Sequence, residues 1–275
     1  MEISAADVMK LRKVTGAGMM DCKTALADAE GDFNRAIDII REKGKLVASK
    51  RADRAATEGV VLAKTNADRT SGAMIVLNCE TDFVAKNENF VAFAERILDA
   101  AIANNAADLN TVKGLLLDGR TIENLVIEQT GVIGEKLDLP FYAKIDAATV
   151  VAYIHPGNKL STLVGFNNAG VDIQVTKDIA MQVAAMNPVA VDRSDVSADT
   201  IAKELEIAKE KFRQEGKPEA MLDKISQGAL EKFFKDSTLL NQAFIKENKQ
   251  TVKEFLVSQN KGLTVTSFFR YNLGD

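Results

Sequence analysis

Histidine is almost absent: His155 is the only one in 275 residues. One imidazole cannot build a His-rich metal centre, and any His-Asp-nucleophile set would have to run through it. Cysteine is nearly as scarce. Cys22 and Cys79 lie far apart in sequence, which offers neither zinc-ligand spacing nor a disulfide framework and fits a reducing, cytoplasmic setting. Four prolines and the lack of any long polar tract argue against large disordered regions. No apolar run approaches the ~18 residues of a membrane span, so no membrane partner is expected. Met1-Glu2-Ile3-Ser4 lacks the basic start and apolar stretch of a signal peptide. Thr15-Gly16-Ala17-Gly18 is glycine-rich, but it follows a helical pattern rather than a strand. It also lacks the Gly-x-x-x-x-Gly-Lys-Ser/Thr spacing that cradles phosphates. Carboxylates are plentiful, yet none stands out as a catalytic pair. These absences lead to the expectation of a binding protein with no bond-making chemistry, no metal and no cofactor.

The net charge of −4 has the wrong sign for a general nucleic-acid binder, so no direct nucleic-acid contact is expected. One stretch is basic, with Arg41, Lys43, Lys45, Lys50, Arg51 and Arg54 against Glu42 and Asp53. A solvated helix end or linker is the simpler reading of it, an RNA patch the sharper one.

The first 45 residues read as three short helices. Ser4 followed by Asp7 has the form of a capping box, and Val8 and Leu11 share a face. Cys22, Ala25, Leu26 and Ala29 recur at i, i+3, i+4, i+7. Gly31 ends that helix and Asp32 caps the next. Phe33, Ala36, Ile37 and Ile40 repeat the spacing, with Gly44 expected as the stop. A bundle this small has a marginal core and is expected to bind a partner through one face.

From about Gly59 the period changes to two. Val60-Val61-Leu62-Ala63 and Met74-Ile75-Val76-Leu77 read as a hairpin, followed by a helix with Phe90, Phe93, Ala94, Ile97, Leu98 and Ala101 on its apolar side. Ala107 to Lys136 reads as helical. The pattern then returns. Val150 to Ile154 and Thr162 to Phe166 pair across Pro156-Gly157-Asn158, and a helix with Ile179, Val183 and Met186 follows. Two strand-strand-helix units built alike suggest a duplicated α+β core. Between them and the end, Ile201, Leu205, Ala208 and Phe212, then Leu222, Ile225, Ala229 and Phe233, recur at near-heptad spacing across Gly216-Lys217-Pro218. That is an inserted antiparallel helical hairpin. A helix near Val252, Phe255 and Leu256 and a strand from Thr264 to Tyr271 close the chain. The expected division is 1–56 for the bundle, 57–145 for the first core unit, 146–190 with 236–275 for the second, and 191–235 for the hairpin.

Two places invite contact. Met19 and Met20 are adjacent on a helix and cannot both enter one small core, so one is expected outside as an adaptable thioether. Asp82-Phe83 follows a strand that ends at Cys79 and sets an acid beside an aromatic at the rim of the sheet. From residue physics alone, Phe83 is expected beneath its own helix.

Longer stretches change that expectation. Leu11-Arg12-Lys13-Val14-Thr15-Gly16-Ala17-Gly18-Met19-Met20-Asp21-Cys22-Lys23 resembles the amino-terminal signature of the bacterial elongation factor Ts family. Asn78-Cys79-Glu80-Thr81-Asp82-Phe83-Val84-Ala85-Lys86 resembles its second signature. His155-Pro156-Gly157 resembles the His-Gly turn of the family's second core unit, with Pro156 as a departure. The order of parts also resembles the family's: a three-helix, ubiquitin-associated-like bundle, a core of two similar subdomains and a projecting hairpin. The resemblance implies a guanine nucleotide exchange factor for elongation factor Tu, the GTPase that delivers aminoacyl-tRNA, acting in the cytoplasm. It implies that Arg12, Met19, Met20 and Lys23 grip the partner's nucleotide-binding domain. It also implies that Asp82 and Phe83 push in near the magnesium and phosphates, with Thr81 and Val84 as further partner-binding residues and His155 touching the partner elsewhere. Members with a long carboxyl-terminal helix continue past the final strand, whereas this sequence stops at Asp275, so contacts through such a helix are not implied. A homodimer through the hairpin is left open. The alternative is a ubiquitin-associated-type adaptor without exchange activity, which the second signature, lying outside the bundle, disfavours.

Overall fold

The computed structural model describes residues 3–275; Met1 and Glu2, the start of the expected bundle and of the leader reading, lie outside the described residues. Three helices come first: α1 (Ala5–Thr15), α2 (Met19–Asp28) and α3 (Phe33–Lys50). The caps of α1 and α3 follow from single residues. The Ser4 hydroxyl accepts from the Asp7 N–H at 3.1 Å, and Asp32 Oδ1 accepts from the N–H groups of Asn34 and Arg35 at 2.9 and 3.0 Å. Gly31, at φ 86°, turns the chain out of α2. Val8, Leu11, Cys22, Ala25, Leu26, Ala29 and Ala36 form the small core.

Gly44 does not stop α3, which runs on to Lys50. A glycine costs a helix only about 1 kcal/mol relative to alanine, so packing decides. Here it packs against a second glycine in the helix α7 introduced below.

The next unit holds β1 (Glu58–Thr65), β2 (Ser71–Cys79), α4 (Asp82–Ala85), α5 (Glu88–Ala103), α6 (Leu109–Gly114), a two-residue ribbon of β3 (Leu116–Leu117) and β4 (Arg120–Thr121), α7 (Ile122–Ile133) and β5 (Asp138–Asp146). The stretch expected to be helical throughout is therefore split by the ribbon. The strand β5 had no expected counterpart. Its Pro140 removes a ladder N–H, which confines such a strand to a sheet edge or a bulge. Both conditions hold: the order is β1-β2-β5, and the β2–β5 register shifts between Val76 and Asn78.

The last part holds β6 (Thr149–Ile154), β7 (Leu160–Phe166), α8 (Ile173–Met186), α9 (Ala198–Gln214), α10 (Glu219–Ser237), the ribbon β8 (Ala243–Phe244) and β9 (Glu247–Thr251), α11 (Val252–Gln259) and β10 (Val265–Asn272). Its sheet runs β10-β7-β6, all antiparallel. In α9 and α10, Ala208, Leu222, Ser226, Leu230 and Phe234 are the buried positions. The α10 seam thus lies one residue on from the expected Ile225, Ala229 and Phe233. Where both neighbours are apolar, an i+3 and an i+4 step read alike, and turning Leu230 inward rather than Ala229 buries more apolar area.

The two sheets pack face to face, with helices outside. Val60, Leu62, Ile75 and Leu77 meet α5 through Phe90, Ala94, Ile97 and Leu98. Their alternates Val61, Ala63, Met74 and Val76 meet Ile145, Val150 and Leu163 between the sheets. On the far side Val151, Val164 and Phe166 meet α8 at Ile179 and Val183. Burial on both faces is why these strands read as continuous apolar runs. The architecture is α+β.

Candidate functional site

The chain leaves β2 at Cys79 and turns at once into the single-turn helix α4. Thr81 caps it, accepting from the Val84 N–H at 3.4 Å. Glu135 holds Thr81 from behind: its Oε2 accepts from the Thr81 N–H at 3.0 Å and its Oε1 from the Thr81 hydroxyl at 2.7 Å. The Cys79 thiol donates to the Thr81 carbonyl at 3.2 Å. Burial, with the Glu135 charge beside it, pushes that thiol up to about 12, so it is a neutral structural group. Val84 and Ala85 face the core. On a helix Phe83 must then point away from them, and it is 83% exposed. Residue physics alone had placed it beneath the helix; the core-facing side of α4 was already taken. Asp82 pairs with Lys86 at 2.6 Å, and that hydrogen bond holds its carboxyl below the usual aspartate range.

The bundle meets this turn. Gly16, in the loop between α1 and α2, lines one groove together with Phe83, Val84, Phe90, Val132 and Ile133. Met19 and Met20 follow at the start of α2 and are 46% and 72% exposed. Both are outside, not one as expected. They occupy the first turn of α2, whose buried positions are Cys22, Ala25 and Leu26, while Ala17 fills that end of the core. Arg12 and Lys23 are exposed on the same small unit.

His155 lies in the β6–β7 turn and is exposed. Its Nδ1 is 2.9 Å from the Tyr153 hydroxyl. The His155 N–H donates to the Leu160 carbonyl at 2.8 Å, and the Asn158 carbonyl accepts from the Val61 N–H at 2.7 Å, which docks the turn on β1. Lys159 pairs with Glu58 at 2.8 Å, close enough to Asp82 for each charge to shift the other's titration. The Thr81–Val84 turn thus shares a groove with the loop between α1 and α2, and its Asp82 lies within electrostatic reach of Lys159 at the end of the His155 turn.

Sequence reasoning missed two supporting carboxylates. Glu135 carries no motif and acts on a residue 54 positions away. Glu80 sits inside the second signature and could have been singled out there. Its Oε1 accepts from the Lys136 N–H at 2.6 Å and from Arg51 at 2.8 Å, and its Oε2 accepts from Arg54 at 3.4 Å. Lys136 returns two bonds to the carbonyls of Ala52 and Arg54. The basic stretch is tied into the protein in this way, with Arg41 on Asp38 and Lys43 on Asp21 as further pairs.

Glu80 gives a pH-dependent clamp. The Lys136 N–H first, and Arg51 next, hold its carboxyl below the ordinary 4.5. A depressed value stabilises the fold above the unfolded-state value, and that stability is lost as pH falls through the lower folded one. Glu80→Gln is expected to lower the melting temperature at pH 7 by about 2–4 °C and to flatten the loss between pH 5 and 3. Thermal melts across that range check it; parallel curves for the two proteins would contradict it.

Comparison with known proteins places the chain in a family. A family model described as Elongation factor TS matches residues 80–275. Curated relatives named Elongation factor Ts match along nearly the whole chain. The protein of Christiangramia forsetii is 50% identical over 275 residues, covering 99% of each chain. That of Flavobacterium psychrophilum is 50% identical over 276 residues at the same coverage, and that of Amoebophilus asiaticus is 49% identical over 276 residues, covering all of both. With two signatures, a family model matched over residues 80–275 and relatives at half identity end to end, the chain belongs to the elongation factor Ts family.

Proposed function

We propose that this chain catalyses guanine nucleotide exchange on elongation factor Tu by inserting Phe83 beside the magnesium and phosphate end of bound GDP while the bundle holds the GTPase. The observation that carries the reading is the Phe83 ring, 83% exposed on a capped and braced turn. The ring is continuous with the apolar groove of Val84, Phe90, Val132 and Ile133, and contiguous apolar surface of this kind marks contact sites. GDP held at nanomolar affinity is bound by about 12 kcal/mol, and unaided release is slow. A factor that favours a GTPase conformation with disturbed magnesium and phosphate contacts weakens GDP. By linkage GDP weakens the factor equally, so the ternary state sheds either ligand. The cation neutralises the phosphates, which makes its coordination the economical place to intervene. Phe83 supplies an apolar wedge, and Asp82 brings a charge to the same spot.

The bundle supplies the grip through Met19, Met20, Arg12 and Lys23, and His155 adds a contact from the neighbouring turn. Thr81 and Val84 act from behind, one capping and one packing, and the work takes place in the cytoplasm. Among the described residues no helix is long and apolar enough to cross a membrane. The adaptor reading leaves the core without a role, whereas the family match falls on the core.

Release of fluorescent GDP from elongation factor Tu, measured with and without this protein, tests the function: acceleration at substoichiometric amounts is expected, and no acceleration removes the reading. The grip has its own test. Met19→Ala with Met20→Ala is expected to weaken complex formation about tenfold by titration calorimetry, a loss in the range of two moderate contact residues. Undiminished affinity would place the grip elsewhere.

A further inference from the structure

The grip and the wedge lie on different packing units, and the two units meet at a pair of glycines. Gly44 on α3 sits against Gly131 on α7. The contact is asymmetric. A Cβ on Gly131 would fall onto the Gly44 backbone, far inside contact with its Cα and at 3.1 and 3.2 Å from its C and N. A Cβ on Gly44 would meet the Glu128 carbonyl oxygen at 3.4 Å and the Gly131 Cα at 3.7 Å, which is ordinary van der Waals contact. Gly131 is therefore the residue that cannot carry a side chain while α3 stays seated.

The same stretch of α7 also touches the site. Gln129, Val132 and Ile133 line the groove beside Phe83, and Val132 is the nearest neighbour of Gly16 in the bundle loop. Helix α3 continues unbroken through Gly44 and is held again beyond its end, where Arg51 and Arg54 reach Glu80. Side-chain pairs across the helices are a weak substitute for this contact. Arg41 lies 3.9 Å from Glu128 and is partly exposed, and such pairs contribute little.

We propose that Gly131 is a positioning residue for nucleotide exchange: its missing side chain lets α3 close on α7 and sets the separation between the methionine-bearing bundle and Phe83. The inference rests on the exchange reading of the site. Two contact regions act as one rigid ligand only if their spacing is fixed before binding. A shift of α3 away from α7 displaces Phe83 relative to a bundle already docked on the GTPase. Displacements near 1 Å in a working geometry cost up to about 100-fold in rate.

Gly131→Ala and Gly44→Ala separate the two sides of the contact. Stimulated GDP release is measured against factor concentration for each. Spin labels at Asp28→Cys on the bundle and Glu95→Cys on α5 report the spacing by pulsed electron paramagnetic resonance; both native thiols are buried. Gly131→Ala is expected to lengthen or broaden the label distance and to lower the saturating release rate about tenfold or more. Gly44→Ala is expected to leave both as in the parent. Partial unfolding alone would raise the half-saturating concentration and spare the saturating rate. If Gly131→Ala does not fold by circular dichroism, Gly44→Val, which pushes on α7 from the α3 side of the same seam, must produce the same two changes. An unchanged label distance in the folded variant, or a changed distance with an unchanged saturating rate, overturns the proposal. Should the parent protein fail to accelerate release, the exchange reading fails, and should Phe83→Ala release at the parent rate, only the Phe83 wedge does; in either case the label distance still reports whether Gly131 sets the spacing.

Discussion

Phe83→Ala is expected to slow stimulated GDP release from elongation factor Tu by about 30-fold, the equivalent of about 2 kcal/mol for a buried aromatic hot spot. The same change should leave the protein's own melting curve almost unmoved. Phe83 is 83% exposed and contributes little to its own core, and substitutions at such positions stay within about 0.5 kcal/mol. Thr81, Glu135 and the Cys79 thiol brace the backbone of the turn independently of the ring, so the loop keeps its shape when the ring is gone. Loss of rate with retained stability would identify the ring as the acting group. A rate equal to the parent's would remove Phe83 from the mechanism, whatever the affinity of the complex.

Leu163→Ala carries the largest expected stability effect, about 3–5 kcal/mol in chemical denaturation. Leu163 is fully buried between the sheets with Val150, Ile145 and Met74. Across from it stands Gly72, where a Cβ would lie 2.8 Å from a Leu163 methyl carbon and 3.0 Å from a Val150 methyl carbon. Gly72→Ala alone is therefore expected to cost about 1–3 kcal/mol by overpacking. In the Leu163→Ala background the new methyl enters the vacated space. The double variant should be more stable than the sum of the single losses implies, by about 1–2 kcal/mol. Strict additivity would show that the sheets do not press on each other at this point.

The sequence reading and the structure agree where a single residue or a short period decides. Ser4 and Asp32 cap the helices assigned to them, and the two hairpins fall where the period-two runs lie. They part company where the deciding neighbour is distant. Gly44 looks like a helix stop until Gly131 is seen opposite. Pro140 hides a strand until the β2 bulge and the free edge accommodate it. Met19 and Met20 both lie outside because Ala17 and Cys22 on either side of them already fill that end of the bundle core, which nothing local announces.

The site divides in the same way. Its residues stand in two contiguous signatures and one turn, and those stretches alone are enough to assign the chain to its family. That Phe83 points outward, that Glu135 braces its turn and that the bundle loop shares its groove are decided only in the folded chain. Caps, periods and signatures are short-range properties of the chain. Exposure of a ring and the spacing of two helices depend on which distant residues have already taken the space, and a linear order of residues does not contain that occupancy.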